Sequence, residues 1–172
     1  MDYHRGVTDA DQPYPQMSDL TAFLLGQIGY HSSSRFAELL APVGISPRHF
    51  GMLRVLREHD GRSQQQLCET LGIHRNVMVG LVDELEKRGL VERRRHPSDR
   101  RAHAVYLLPA AHDVLARAQG VAEGLDGELL ATFDDAERAT LLGLLQRLAV
   151  ANGLRRGIHP GLAGESAAPP CS

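Results

Sequence analysis

The sequence has no tryptophan and only four tyrosines and four phenylalanines among 172 residues, so its core must be filled by aliphatic side chains, as in packed helices. Its two cysteines, Cys68 and Cys171, lack a Cys-x-x-Cys spacing, which excludes a disulfide scaffold and fits a reducing compartment. Cys68 stands among apolar residues in a helical pattern, where a thiol is more often a small buried hydrophobe than a redox sensor. No apolar run comes near the roughly 20 residues needed to cross a bilayer, and the opening MDYHRGVTDADQPYPQ lacks the basic and apolar stretches of a secretory signal. A cytoplasmic location without membrane contact is the expectation. The nine histidines are scattered, with no His-Glu-x-x-His and no histidine pair four residues apart, and there is no glycine-rich phosphate loop. Neither an enzymatic site, a metal nor a cofactor is expected.

The formal net charge of −2 offers nucleic acid little overall attraction, but the charge is unevenly spread. Between Lys87 and Arg101 there are seven bases (Lys87, Arg88, Arg93, Arg94, Arg95, Arg100, Arg101) against two acids, Glu92 and Asp99. The rest of the chain is correspondingly acidic.

The length suits one domain with short tails, residues 17–151 forming the domain while 1–16 and 152–172, rich in proline, glycine and small residues, read as disordered. A first helix, with Ser18 as its cap, carries Leu20, Phe23, Leu24, Ile28, Phe36, Leu39 and Leu40 at helical spacing, weakened in its middle by the Ser32-Ser33-Ser34 run. A second begins at Ser46-Pro47, a capping serine followed by proline at the first helical position, and ends at His59-Asp60-Gly61. Ser63 and Gln66 form a capping-box pattern for a short third helix that Gly72 terminates. A fourth follows almost at once, from about His74 to Arg88, with Ile73, Met78, Leu81, Val82 and Leu85 as its apolar stripe. Two helices joined through so short a turn form a helix-turn-helix. Beyond Gly89 the period becomes alternating, LVERRR and RRAHAVYLL about an HPSD turn, which predicts a β-hairpin. Pro109 and Asp134-Asp135 open two last leucine-rich helices. The fold class is therefore mainly α with a small β-hairpin wing.

A helix-turn-helix followed directly by an arginine-rich hairpin has a physical purpose: the second helix enters the major groove while the hairpin reaches across the backbone. Local acids are too few for the hairpin arginines, which would repel one another without an external anion such as phosphate. The segment from Gly44 to Leu108 also resembles the centre of MarR (multiple antibiotic resistance regulator) family proteins, through LVDELEKRGLVER at 81–93 and Asp99-Arg100-Arg101 at their usual spacing. The resemblance implies a winged helix-turn-helix lobe at 46–108, an obligate homodimer held by helices within 17–42 and 109–151, and recognition of pseudo-palindromic double-stranded operator DNA, more often to repress than to activate.

Carried onto this chain, the resemblance places Arg75, Asn76, Val77, Val79 and Gly80 on the exposed face of the recognition helix. There arginine suits guanine O6/N7, asparagine suits adenine N6/N7 and the valine methyls suit thymine. Gly80 departs from the larger residue usual at that place, and either admits a close backbone approach to DNA or is simply tolerated. In the wing Arg93, Arg94, Arg95, Arg100 and Arg101 are the candidate DNA contacts, for phosphate or the minor groove, with Asp99 supporting the turn. Ser63, Gln64 and Gln65 either present donors to phosphate or only cap their helix. After the wing, Leu108-Pro109-Ala110-Ala111-His112 replaces the family's Leu-Thr-x-x-Gly, implying a stiffer junction. The resemblance also implies a small aromatic or phenolic effector, with Tyr30, His31, Arg35, His49 and Arg54 as its neighbourhood. Two alternatives remain open at this point: a winged-helix module that binds protein, and a DNA-binding protein that answers to no effector.

Overall fold

The computed structural model describes residues 16–95 and 103–163. Its elements run α1 (Thr21–Leu40), α2 (Pro47–Glu58), β1 (Arg62–Ser63), α3 (Gln64–Leu71), α4 (Arg75–Lys87), β2 (Val91–Arg95), β3 (His103–Leu107), α5 (Pro109–Leu129) and α6 (Asp135–Ala151). The strands form an antiparallel sheet in the order β1-β3-β2, with Arg93 opposite Val105 and Arg62 opposite Val105 on its other side. Short 3₁₀ turns occupy Met17–Asp19, Ala41–Val43 and Pro160–Ala163. No helix among the described residues is long and apolar enough to cross a membrane.

Helix starts follow the expected chemistry where a polar cap is available. The hydroxyls of Ser46 and Ser63 and the carboxylate of Asp134 each accept the backbone N–H three residues on, and His49, Gln66 and Glu137 return the bond to the cap residue's own N–H. Ser18 does not play this part for α1: Leu20 occupies the cap position, and Ser18 lies in the preceding 3₁₀ turn. The serine run at 32–34 leaves α1 uninterrupted. Leu108 precedes Pro109 at the start of α5, and its N–H donates to the Leu90 carbonyl at 2.9 Å, which ties the wing's exit to its entrance.

The core lies between α2, α3, α4, the sheet and the first half of α5. Leu53, Leu56, Leu67, Leu71, Met78, Val82, Leu85, Val105 and Leu115 are all essentially inaccessible. The apolar stripes expected of α3 and α4 thus face inward as a unit, which fixes the angle at which the outer face of α4 is presented. Gly61 closes the small sheet on this core. It adopts φ +74°, its N–H donates to the Val105 carbonyl, and a Cβ there would sit 2.8 Å from the Tyr106 ring. The Asp60 carboxylate accepts the Leu107 N–H at 2.9 Å on the same side.

The outer helices behave differently. In α1 only Leu40 is buried, while Leu20 at its cap and Phe23, Leu24, Leu25 and Ile28 are exposed, and α6 buries nothing although Leu142, Leu144, Leu145 and Leu148 lie along it. The expectation of a disordered tail from residue 152 is corrected for its first part. Ile158 and Leu162 pack on the core, because a short turn at Pro160–Ala163 presents aliphatic side chains that composition alone hides.

His49 is 4% exposed and sits in the first turn of α2. Its Nδ1 accepts the Ser46 N–H at 3.2 Å, so the proton of the neutral ring belongs on Nε2, which lies 3.1 Å from a Glu84 carboxylate oxygen. Burial lowers its pKa below the ordinary value of 6.5; Glu84 opposes that shift and Arg88 adds to it. The unfolded chain therefore binds a proton that the folded chain does not, and stability is lost as pH falls through the unfolded value toward the folded one. His49→Gln preserves the capping box without the titration. Urea midpoints measured from pH 7.5 to 5.5 should show the wild type losing stability relative to this variant. Gly61→Ala should cost about 1 to 3 kcal/mol in the same assay at neutral pH, since it combines a strained φ with the Tyr106 clash.

Candidate nucleic-acid interface

Helix α4 buries Met78, Leu81, Val82 and Leu85 and turns Arg75, Asn76, Val77 and Val79 outward. All four are exposed and contiguous over the first two turns, with the His74 ring as the helix cap, accepting the Asn76 N–H at 3.3 Å. The two valines are each 39% accessible, apolar groups that the chain itself leaves uncovered. At Gly80, on the next turn, a Cβ would meet nothing within 4 Å. Packing within the chain thus gives no reason for glycine at this position.

At the start of α3, Ser63 is committed to its capping box, so its hydroxyl oxygen is engaged with the Gln66 N–H. Gln65 is exposed and its amide donates to Glu69 at 3.0 Å. Gln64 is partly buried, and its Nε2 lies inside without a hydrogen-bond partner among the described residues. The three residues stand side by side at the helix N-terminus, where backbone N–H groups favour an anion.

The wing arginines have separate roles. Arg93 is 19% exposed and its guanidinium bridges two carboxylates of α4, Asp83 at 2.6 Å and Glu86 at 2.5 Å, while its backbone N–H donates to Glu86 at 3.0 Å. Two carboxylates engage both terminal nitrogens of this guanidinium, which leaves it fewer donors for phosphate and makes Arg93 a brace between the wing and α4. Arg94 pairs with Glu92 and lies 4.7 Å from the centroid of the Tyr106 ring. The strand register explains this contact: Tyr106 is opposite Glu92 and therefore diagonal to Arg94 on the same face. Arg95 is exposed at the last position of β2. Asp99, Arg100 and Arg101 fall outside the described residues.

Behind the DNA-facing surface is a cavity of about 1100 Å³ between α2, α1, α4 and the C-terminal segment. His49 and Arg54 line it, as expected, but Tyr30, His31 and Arg35 do not. Tyr30 is 78% exposed and Arg35 is paired with Glu38 and Glu128, so α1 contributes Ser33 and Phe36 instead. Phe36 and Phe50 meet edge to face at 5.7 Å, and the Arg54 guanidinium lies 5.9 Å from the Phe50 centroid. The His49 Nε2 is without an aligned hydrogen bond despite its approach to Glu84, and the Arg54 Nε is also unpartnered. No local pattern marks Arg48, Glu84 or Arg156 as part of this wall, because each comes from a different segment.

Cys68 packs at the edge of the core, where burial raises its thiol pKa above the ordinary value despite the opposing Arg75 charge. A thiol held protonated is a poor nucleophile, which favours the packing role over the redox one.

The MarR family profile matches residues 43–102. A putative transcriptional regulatory protein for the hcr operon of Thauera aromatica is 33% identical over 146 residues, 78% of this chain and 88% of the relative. Two structures of the regulator CouR are also similar. One, a transcriptional repressor bound to a 23-mer DNA duplex, is 33% identical with a TM-score of 0.68, covering 79% of this chain and 99% of CouR. The other, from Rhodococcus jostii RHA1 with p-coumaroyl-CoA bound, is 29% identical with a TM-score of 0.65, covering 79% of this chain and 96% of CouR. The two-helix unit, the braced wing and these likenesses lead to one conclusion: the chain belongs to the MarR family of winged-helix transcriptional regulators.

Proposed function

We propose that this protein is a homodimeric repressor that binds pseudo-palindromic operator DNA and is released from it by a small aromatic anion. The observation that carries the DNA reading is the exposed surface Arg75-Asn76-Val77-Val79 on α4, set beside a wing that Arg93 braces to the same helix. Arg75 and Asn76 offer the bidentate donors and acceptors that base edges require in the major groove, and the valines offer methyl contacts. Arg95, with Arg100 and Arg101 beyond it in sequence, supplies charge for phosphate or a narrow minor groove, and Asp99 shapes the turn. Gln64, Gln65 and the α3 N-terminus complete the phosphate contacts, and Ser63 orders that helix end.

The dimer follows from the two apolar faces that the single chain leaves bare. Leucines along α1 and α6 would cost about 25 cal/mol per Å² if kept in water, and a second copy offers the same two faces in return. A dimer also spaces two recognition helices for the two halves of an operator.

The cavity supports the effector reading. Its wall combines Phe36, Phe50 and Leu162 with Arg48, Arg54 and Arg156, and two of its nitrogen donors lack partners. Aromatic surface together with arginine side chains suits an aromatic acid or thioester, the chemistry of the p-coumaroyl-CoA bound by CouR. With no membrane-spanning helix described and a DNA target, the working location is the cytoplasm.

Sedimentation equilibrium should give the dimer mass for the wild type, and Leu145→Glu should shift the distribution toward monomer. In anisotropy titrations against duplexes from the region upstream of its own coding sequence, Arg75→Ala should cost about 1 to 3 kcal/mol on the specific duplex and little on a scrambled one. Arg95→Ala should weaken both about equally and reduce the salt slope by about one. Equal losses on both duplexes for both variants would overturn this division. Gly80→Ala should raise helix stability by up to about 1 kcal/mol; a simultaneous loss of operator affinity would show that DNA approaches the backbone at that turn.

A further inference from the structure

The C-terminal segment after α6 does not leave the domain. Arg155 donates to the Glu69 carbonyl at 2.7 Å and the Thr70 carbonyl at 3.2 Å, in the last turn of α3. Those are carbonyls that the end of a helix leaves without intrahelical partners, and a guanidinium is the charge that a helix C-terminus favours. Seven residues on, Leu162 is 8% exposed and rests on Gly51 of α2, where any larger residue would collide with it: a Cβ would lie 2.8 Å from its Cδ1. The Arg48 Nε donates to the Leu162 carbonyl at 3.1 Å. Between these anchors Ile158 packs on the core, and Arg156, His159 and Leu162 face the cavity. The segment therefore touches the cavity with one end and the helix preceding the recognition helix with the other. The CouR structures, matched almost to their full length, cover only 79% of this chain.

We propose that residues 155–162 are a wall of the effector site and the link through which that site acts on the helix-turn-helix. The proposal rests on the effector reading above. Because the cavity stays open with the segment in place, the segment lines it without filling it, and a bound aromatic anion gains contacts from Ile158, Leu162 and Arg156 only while the segment is docked. Binding then stabilises the docked segment, and through Arg155 it constrains the end of α3, whose Gly72 turn leads directly into α4. A ligand acts on DNA affinity only if it favours one arrangement of these helices over another, and the Arg155 contact supplies that difference.

The probe is 8-anilinonaphthalene-1-sulfonate, an aromatic anion whose fluorescence rises in an apolar site, titrated into the full-length dimer with and without the upstream duplex. Leu162→Ser, and a chain stopped after Leu154, should each weaken dye binding about tenfold, the scale of one buried aliphatic side chain. A poorly folded variant would take up more dye, so a loss is diagnostic. Arg156→Ala should also weaken it, by removing a cation without undocking Leu162. In the wild type, dye and duplex should raise each other's dissociation constants by one common factor. Arg155→Ala should bring that factor toward one while leaving dye affinity within about twofold, whereas a structural role alone would lower both. Wild type and variants that bind and couple alike would overturn this inference and leave the effector reading standing. A wild type that binds no dye would remove both.

Discussion

The surface offered to DNA depends on one guanidinium. Arg93 leaves β2 and closes on Asp83 and Glu86 of α4, so the wing is tied to that helix. Besides that brace the hairpin is held to the lobe by the sheet, the Leu90–Leu108 and Asp60–Leu107 bonds and the buried side chains of Val91 and Val105, none of which reaches the outer part of α4. The pair is partly shielded, with Arg93 only 19% exposed, so salt screens it less than it screens the outer arginines. Ionic strength that weakens exposed ion pairs therefore weakens this one less.

The same interaction explains how an acidic chain presents a basic face. Among the described residues, Asp83 and Glu86 pair with Arg93, and Glu92 pairs with Arg94. Arg95, at its far end, remains exposed with no carboxylate paired to it among the described residues. A net charge of −2 is no obstacle to a target read through a local surface, because at physiological salt charges act over about 8 Å.

The lobe was legible in the sequence because its signals are local. The capping box at Ser63, the capping serine before proline at Ser46-Pro47, the glycine at 72 and the change of period after Gly89 each reflect a few adjacent residues, and the buried stripes of α3 and α4 followed from spacing alone. Pairings across the fold were not legible. Counting charges along the chain made Arg93 look unneutralised, because its partners lie seven and ten residues back on another element. Tyr30, His31 and Arg35 are close in sequence to cavity residues, yet a helix turns them away, and only Ser33 and Phe36 of α1 reach the space. The segment at 155–162 was hidden by its composition: glycine and proline punctuate it, while its anchoring rests on two side chains, Arg155 and Leu162, separated by seven positions.

Helix α4 is therefore shared by three environments. Met78 and Val82 hold it in the core, Arg75, Asn76, Val77 and Val79 face outward, and Leu81 and Glu84 line the cavity. Glu84 stands between two residues of the brace, Asp83 and Glu86, and lies 3.1 Å from His49 on α2. A ligand that touches His49 or Arg54 is thus separated from the DNA-facing surface by the thickness of one helix. Tightly packed interiors transmit small displacements with little loss, since side chains have few alternative positions. In the coupling proposed above, the Arg155 contact constrains the end of α3, and any shift of α4 that follows carries the wing with it, because Arg93 ties β2 to α4.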